Sequence, residues 1–344
     1  MANQRVWVAM SGGVDSSVAA AWALRERREV QGVTLDLGRG EPDRLAIDSA
    51  ARVCARLGIP HRVLDVSREF DSCVVDKTAK RYAEGHTPNP CVECNALIKF
   101  GLLADAAAAE GADMATGHYA RIIVRDGGPW LARSKDPHKD QSYFLYRVPC
   151  ERLAHVMFPL GEVTKTDVRT EAASLGLAEM HTKESQDACF VGPGGYPELV
   201  AARYPQGCRP GPLITSTGET VGTHRGICRY TVGQRRRIGI ASSDPLYVIA
   251  LDGAHNAVVV GDKTQLEVSR IRAIDPVWHA APGVRTLFVK CRYNSPLVRA
   301  QVTYDGEALV AEVEEPLFGV APGQSLVCYD ADTVLGGGII EEAL

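Results

Sequence analysis

Two short stretches of this chain carry residue types that could do chemistry. The first, Ser11–Ser17, reads SGGVDSS. Paired glycines let a backbone turn tightly and approach an anion, while serine hydroxyls and the free amides of a helix start point toward it. Such a loop is a cradle for phosphate. A polar turn capped by Asp15 or Ser16 is the plainer alternative, but an apolar run before the loop and a helical pattern after it favour the cradle. No lysine follows as it would in a GxxxxGK[ST] loop, so γ-phosphate transfer machinery of that type is missing. The second stretch, Asn89–Asn95, reads NPCVECN and sets Cys91 and Cys94 three residues apart behind Pro88 and Pro90. Thiols so spaced serve as metal ligands, a redox pair or catalysts. No second CxxC pair exists in the chain, so a four-cysteine zinc site lacks half its ligands. A thioredoxin-like pair opens a helix after a strand, whereas these cysteines are expected in a proline-containing loop.

Both stretches need a scaffold. The front half alternates apolar, strand-like runs with alanine-rich helical patterns. Arg5–Met10 reads as a strand and Ser17–Arg28 as a helix; Val30–Leu37 is the next strand, Asp43–Leu57 a helix closed by Gly58 and Pro60, and His61–Val66 a third strand. This alternation predicts a parallel sheet covered on both faces. Ala96–Glu110 reads as a further helix, and the apolar start of Ala112–Arg121 as a strand delivering Thr116, Gly117 and His118 to the C-terminal edge, where open α/β sheets bind ligands. From about Tyr204 the pattern becomes all-β, with hairpins expected about Ser216–Glu219 and Tyr304–Glu307. A compositional break near Asp262–Arg270 separates a small middle β unit from a C-terminal barrel or sandwich.

Bulk properties set outer limits. A chain of 344 residues is long enough for two or three domains, and 45% hydrophobic with 23% charged residues is the composition of an ordinary soluble globular protein. The start, MANQRVWVAMSGG, is too short an apolar run for a signal peptide, and no later run approaches membrane-spanning length. A cytoplasmic protein with no membrane partner is the expectation. Ten irregularly spaced cysteines without a secretory signal argue for reduced thiols, most of them buried. The net charge of −4 does not point to nucleic acid, although one basic face fits within an acidic total.

SGGVDSS resembles the pyrophosphatase loop of the ATP-pyrophosphatase superfamily, whose members split ATP between the α and β phosphates and adenylate a substrate oxygen. Within that superfamily the chain is similar to the tRNA-specific 2-thiouridylase family. The likeness runs in order through VAMSGGVDSSVAA, TPNPCVECNALIKF, ATGHYAR, KDQSYFLYRV, SQDACFVG, YTVGQRRRIGI, RYNSPLVRAQV and FGVAPGQSLVCYD, nearly the whole chain. It implies a PP-loop α/β domain of the adenine nucleotide alpha hydrolase type over residues 1–203, a central β-rich tRNA-binding domain over 204–268 and a C-terminal tRNA-binding β barrel over 269–344. The implied reaction replaces oxygen by sulfur at carbon 2 of the wobble uridine of tRNA. A pyrimidine carbonyl oxygen leaves poorly, and adenylation with ATP and Mg2+ turns it into part of departing AMP. Sulfur would come from a cysteine persulfide loaded by a donor protein, a cysteine desulfurase or relay protein.

Residue by residue, the resemblance makes Cys189 the persulfide carrier and Cys94 the nucleophile that attacks it, releasing sulfide and forming a transient disulfide; the two must then lie within about 7 Å, Cα to Cα. It assigns ATP contacts to Ala9, Met10, Ser11, Gly12, Gly13, Val14, Asp15, Ser16, Leu35 and Gly117, with Asp15 helping to hold magnesium and pyrophosphate. Contacts to the target base fall to Asn89, Pro90 and Cys91, and contacts to the rest of the tRNA to His118, Lys139, Asp140, Gln141, Arg292, Tyr293 and Gln324. Lysine and arginine suit phosphate; asparagine, glutamine and tyrosine read or stack on exposed bases. Solvated loop charges and buried turn amides are the plainer reading of Asp140, Gln141 and Gln324. Arg235–Arg237 form a cationic patch that suits RNA backbone. Two positions depart from the family pattern. Glycine is more usual at Arg237, and many members carry aspartate at Cys91. The thiol at Cys91 leaves two sulfur mechanisms open: persulfide catalysis by Cys94 and Cys189, or a 4Fe-4S cluster on Cys91, Cys94 and Cys189 with one iron open to carry sulfide.

Overall fold

A computed structural model describes residues 5–26, 28–177, 188–240 and 244–344. It divides into two compact units: residues 1–74, 91–186 and 332–334 form the first, and residues 75–90, 187–331 and 335–344 the second. Of the SQDACF segment, Ser185, Gln186 and Asp187 lie outside the described residues.

The first unit is built on a five-stranded parallel sheet in the order β3 (His61–Asp65), β2 (Glu29–Asp36), β1 (Arg5–Ala9), β4 (Asp113–Thr116), β7 (Val156–Met157). Chain order runs outward from β1 to one side and then resumes on the other with β4. The loops leaving β1 and β4 therefore diverge, and the crevice at that switch point is where such sheets bind ligands. Helix Val14–Arg25 and helix Glu41–Leu57 connect the first strands. Their small apolar residues, among them Val18, Ala19, Ala20, Ala23, Ala50 and Val53, pack with Val6, Val8 and Val30 of the sheet in one core. Alanine-rich faces let the helices approach the strands closely, and this core fixes the level at which the loop after β1 emerges.

Most sequence-derived elements are found, with two shifts. Helix 1 begins at Val14 rather than Ser17, so Asp15 and Ser16 stand in its first turn. The cysteine pair is not in a loop. Pro90–Glu93, Cys94–Leu103 and Ala104–Ala109 form consecutive helical segments, the middle one with wider π-type turns. Proline is compatible with a first helical turn, where its missing N–H would have no partner anyway. Cys91 and Cys94 thus open a helical run, and, three apart, occupy neighbouring positions on one face. What precedes them is helix Lys77–Ala83 and an irregular stretch, not a strand.

The second unit holds two β assemblies. A four-stranded sheet runs β10 (Tyr247–Asp252), β11 (Ala257–Gly261), β8 (Gly211–Thr215), β9 (Thr220–His224), around a core of Leu213, Ile227, Tyr230, Ile238, Val248, Val258 and Val260. The expected hairpin turn lies between β8 and β9. Strands β12 (Glu267–Trp278), β15 (Leu309–Phe318), β14 (Val298–Tyr304), β13 (Gly283–Lys290), β16 (Ser325–Asp330) and β17 (Thr333–Ala343) follow one another around a barrel that β12 closes by pairing with β17. Closure leaves no free edge among these strands. No helix of the described residues is long and apolar enough to cross a membrane.

Three histidines give the fold a pH dependence. Burial lowers the pKa of His61 and His86, and burial together with the Lys99 ammonium holds His118 well below the ordinary imidazole range. Near pH 6.5 and below, the unfolded chain takes up protons that these rings refuse in the fold, so stability falls as pH drops. We expect Tm to decline between pH 7 and pH 5, and the decline to be shallower in His61→Gln, His86→Gln and His118→Gln variants. Calorimetry across that window checks this, and an unchanged profile in all three variants contradicts the assignment.

Candidate active site

The loop after β1 is held open by its own side chains. Ser16 Oγ and Ser17 Oγ donate to the Gly13 carbonyl at 3.1 and 2.8 Å, Ser11 N donates to Ser16 Oγ at 3.2 Å, and Ser49 Oγ of the neighbouring helix donates to the Gly12 carbonyl at 2.8 Å. Carbonyls are thereby drawn back into the protein, while the first amides of helix Val14–Arg25 have no intrahelical acceptors. Gly12 has φ of +75°, and a Cβ there would stand 2.8 Å from the Ala46 carbonyl oxygen. Gly117, at the end of β4, shows a second close approach: a Cβ would lie 2.8 Å from both Asp15 C and Ser16 N. Gly12 thus lets the loop settle against helix Glu41–Leu57, and Gly117 brings the β4 strand end into backbone contact with the loop, the close approach a polyphosphate cradle needs.

Asp15 sits at the centre. Lys165 Nζ lies 2.7 Å from each of its carboxylate oxygens, and Tyr119 OH donates to Oδ1 at 2.9 Å. The lysine side chain is 13% exposed and the aspartate 33%, so solvent still reaches the carboxylate. Neither Lys165 nor Tyr119 was among the candidates read from the sequence. Lys165 is the first residue of helix Lys165–Ser174, which is capped by a reciprocal Thr164–Asp167 box. A cation there faces the positive end of the helix dipole and is disfavoured without an anion nearby. A lysine directly behind a strong N-cap was thus the available signal. Its backbone is fixed as well, since Lys165 N donates to Asp136 Oδ2 at 3.0 Å.

The loop carrying Lys139, Asp140 and Gln141 is tied to the same place. Asp140 is buried and accepts from Arg133 Nε, Ser134 N, Ser142 N and Ser142 Oγ at 3.1 to 3.2 Å. Gln141 Oε1 accepts from Tyr119 N at 2.9 Å, and Gln141 N donates to the Tyr119 carbonyl at 2.8 Å. Gln141 therefore braces Tyr119, which braces Asp15, and Asp140 holds the loop that carries Gln141. His118 Nδ1 lies 2.8 Å from Thr116 Oγ1, with its ring against Phe100 and Phe158. Its depressed pKa keeps it neutral at pH 7. Leu35 and Ala9, at strand ends of the same sheet, are half-buried.

Of the ten cysteines, four are buried, four half-buried and two exposed; the exposed ones are Cys91 and Cys189. Burial was expected for most of them but holds for only four, Cys54, Cys228, Cys291 and Cys328. Burial pushes the Cys54 thiol up to about 11 and Cys291 up to about 12, which suppresses thiolate chemistry there. Beside the thiols, Asn95 Nδ2 donates to the Phe144 carbonyl at 3.1 Å. Asn95 Oδ1 is buried without a hydrogen-bond partner. Among the described residues, no group of three or more His, Cys, Asp or Glu side chains is gathered as a metal site. For magnesium, the Asp15 carboxylate and the Ser11 and Ser16 hydroxyls are hard oxygen donors of the kind that ion takes while keeping most of its waters.

In the second unit, Gln324 Nε2 donates to the Thr87 carbonyl at 2.7 Å and Thr87 N to the Pro322 carbonyl at 2.9 Å. Gln324 thereby holds the segment that leads into Asn89 and Pro90. Arg292 is exposed, and its guanidinium lies 3.7 Å from where a Gly233 Cβ would stand, two residues before Arg235. Arg292 thus lies beside the segment that leads into the exposed Arg235–Arg237 run. Arg237 has φ of +63°: the turn keeps the left-handed backbone that glycine favours and places an arginine on it.

Three family models match the chain in order: a tRNA methyl transferase HUP domain over residues 4–193, a tRNA methyl transferase PRC-barrel domain over 200–262 and an aminomethyltransferase beta-barrel domain over 268–340. The chain is 44% identical to the tRNA-specific 2-thiouridylase MnmA of Roseiflexus castenholzii, covering 98% of this chain and 99% of the relative. It is 45% identical to the corresponding Chloroflexus aurantiacus protein, over 99% and 98%. The chain belongs to the tRNA-specific 2-thiouridylase family. A solved structure of the U34-tRNA thiolase NcsA from Methanococcus maripaludis overlays at 18% identity and a TM-score of 0.38, over 59% of this chain and 66% of that one, a likeness too slight for argument. Within a family of this name, the parallel sheet with its glycine-serine loop is the part equipped for ATP.

We expect Asp15→Ala and Lys165→Met each to reduce ATP turnover at least 100-fold with little change in Tm, because each removes charge aimed at the cradle rather than core packing. Lys165→Arg should restore part of it. Rates measured at saturating ATP, alongside Tm, check this; wild-type turnover in Lys165→Met rules the lysine out.

Proposed function

We propose that this enzyme is a cytoplasmic tRNA-uridine 2-sulfurtransferase, converting the wobble uridine of tRNA to 2-thiouridine with consumption of ATP and release of AMP and pyrophosphate. The observation that carries the reading is the Asp15–Lys165 pair beneath the Gly12 and Gly117 approaches, within a chain 44% identical end to end to a tRNA-specific 2-thiouridylase. Loop amides and Lys165 bind the polyphosphate. When bound, Mg2+ supplies charge neutralisation at the phosphates, with Asp15 as its protein ligand. Ala9–Ser16, Leu35 and Gly117 hold ATP so that the uridine O2 attacks the α-phosphorus and pyrophosphate leaves. Carbon 2 is then open to sulfur, with AMP as leaving group.

Sulfur arrives as a persulfide on Cys189, passed from a donor protein. Cys94 attacks the inner sulfur of that persulfide, forming the Cys94–Cys189 disulfide and expelling sulfide toward the activated carbon. External thiol must then reduce the disulfide before the next turnover. The exposure of Cys189, against the burial of four other thiols, supports its use as the loaded residue. Asn89, Pro90 and Cys91 face the target base in this reading. His118, Lys139, Arg292, Tyr293 and Arg235–Arg237 line the tRNA path, and Asp140, Gln141 and Gln324 act by bracing their neighbours. The chain then divides into a catalytic domain over 1–203 and tRNA-binding domains over 204–268 and 269–344.

The function test is release of AMP and pyrophosphate that depends on added tRNA and is matched by 2-thiouridine in the digested RNA. AMP formed equally without tRNA points to another ATP-pyrophosphatase activity, and tRNA binding without AMP release to a binding module.

Cys91 separates the two sulfur mechanisms, since only a 4Fe-4S cluster on Cys91, Cys94 and Cys189 requires its thiolate. With persulfide transfer, Cys91→Ser and Cys91→Asp keep substantial activity while Cys94→Ser and Cys189→Ser lose it. Iron and sulfide in near-equal amounts in anaerobically purified protein, lost together with thiolation in Cys91→Ser, would instead establish the cluster.

A further inference from the structure

Two cysteines with no part in this chemistry meet in the second unit. Cys208 ends the turn Pro205–Cys208, Cys228 lies in the turn Ile227–Arg229, and their sulfurs are 3.1 Å apart. A disulfide bond is about 2.05 Å long, so a combined shift of about 1 Å would join them. The two backbones are in direct contact. A Cβ on Gly226 would stand 2.7 Å from Cys208 Cα, and Gly226 has φ of +113°, where a side chain is excluded. That contact keeps the thiols together. They border a small apolar cluster with Tyr82, Val200, Tyr196 and Tyr204, in which the Tyr82 and Tyr196 rings stack at 4.3 Å. Cys228 is buried, whereas Cys208 is half-buried and the more accessible of the two.

We propose that Cys208 and Cys228 are a reversible dithiol–disulfide pair, oxidised by hydroperoxides, that staples the entry of the β8–β9 hairpin to the segment leading to Arg235–Arg237. The more accessible Cys208 sulfur attacks a peroxide oxygen: the S–O bond forms, the O–O bond breaks, and one water leaves with Cys208 as sulfenic acid. Cys228 sulfur then attacks Cys208 sulfur: the S–S bond forms, the S–O bond breaks, and the Cys228 proton leaves with hydroxide as a second water. Two thiols and one hydrogen peroxide thus give one disulfide and two waters, and thiol exchange reverses the change. Burial, followed by its hydrogen bond with Cys208, raises the Cys228 thiol to about 12, which agrees with its acting second. Because the pair closes a loop of 20 positions around β8 and β9, oxidation restricts the unfolded chain and stabilises this part of the molecule.

The test treats the full-length protein with low equivalents of hydrogen peroxide, alkylates the remaining thiols and maps the cysteine peptides by mass spectrometry. The expected result is a cross-linked Cys208–Cys228 peptide that disappears after dithiothreitol, with a Tm several degrees higher in the oxidised sample and restored on reduction. In Cys228→Ala the resolving thiol is gone, and Cys208 should advance to sulfinic acid. Finding both cysteines fully alkylated, or Cys208 over-oxidised in the wild type beside an alkylated Cys228, would overturn the proposal. The wild-type map decides the question even if the variant does not fold.

Discussion

The geometry of the first unit depends on one carboxylate. Asp15 is gripped by Lys165 on both oxygens and by Tyr119 on one, so two segments remote in sequence converge on a residue in the first turn of helix Val14–Arg25. A half-exposed carboxylate beside free helix amides would favour almost any nearby cation. Here the partner is supplied by a helix start whose own dipole disfavours a cation. Each group is better placed with the other than without it, and the pair keeps charge at the cradle before any phosphate arrives. Behind Tyr119, Gln141 and the buried Asp140 extend the support into the loop that follows β6 (Gly128–Arg133).

Backbone contact is the second constraint. Gly117 has an unstrained φ, and its need for glycine is steric: the Asp15–Ser16 peptide occupies the space a Cβ would take. Gly12 combines a left-handed φ with a close carbonyl. Gly117 thereby narrows the crevice at the β1/β4 switch point, where a side chain would keep the segments further apart, and Gly12 seats the loop against helix Glu41–Leu57. Thiol chemistry is partitioned by the same physics of burial. Apolar surroundings hold several cysteines in the neutral thiol form, while Cys91 and Cys189 stay in contact with water.

Residues that look alike as RNA contacts divide by environment. Asp140, Gln141 and Gln324 have hydrogen bonds within the protein that hold loops in place. Arg292 and Arg235–Arg237 present charge to solvent, and the left-handed backbone at Arg237 aims one arginine from a tight turn. A tRNA-modifying enzyme with an acidic total charge needs such local concentration, because counterion release depends on the phosphates actually neutralised.

Much of this is legible in the amino-acid sequence. Strand-helix alternation specified the parallel sheet, because burying both faces of a sheet demands apolar strands and amphipathic or alanine-rich helices at regular intervals. SGGVDSS marked its own function through the backbone freedom of glycine and the amides of a helix start. Local periodicity could not show that the cysteine pair opens a helix, since prolines before a first turn read equally well as a loop. Nor could it find Lys165 or Tyr119, whose roles exist only because the sheet brings residues about 100 and 150 positions away to within 3 Å of Asp15. The same holds for Cys208 beside Cys228 and for Arg292 beside Gly233. Sequence determined which local conformations and chemistries were available. Tertiary structure decided which side chains share a site, because charge pairing, thiol pairing and steric contact act over distances of a few ångströms that chain order does not encode.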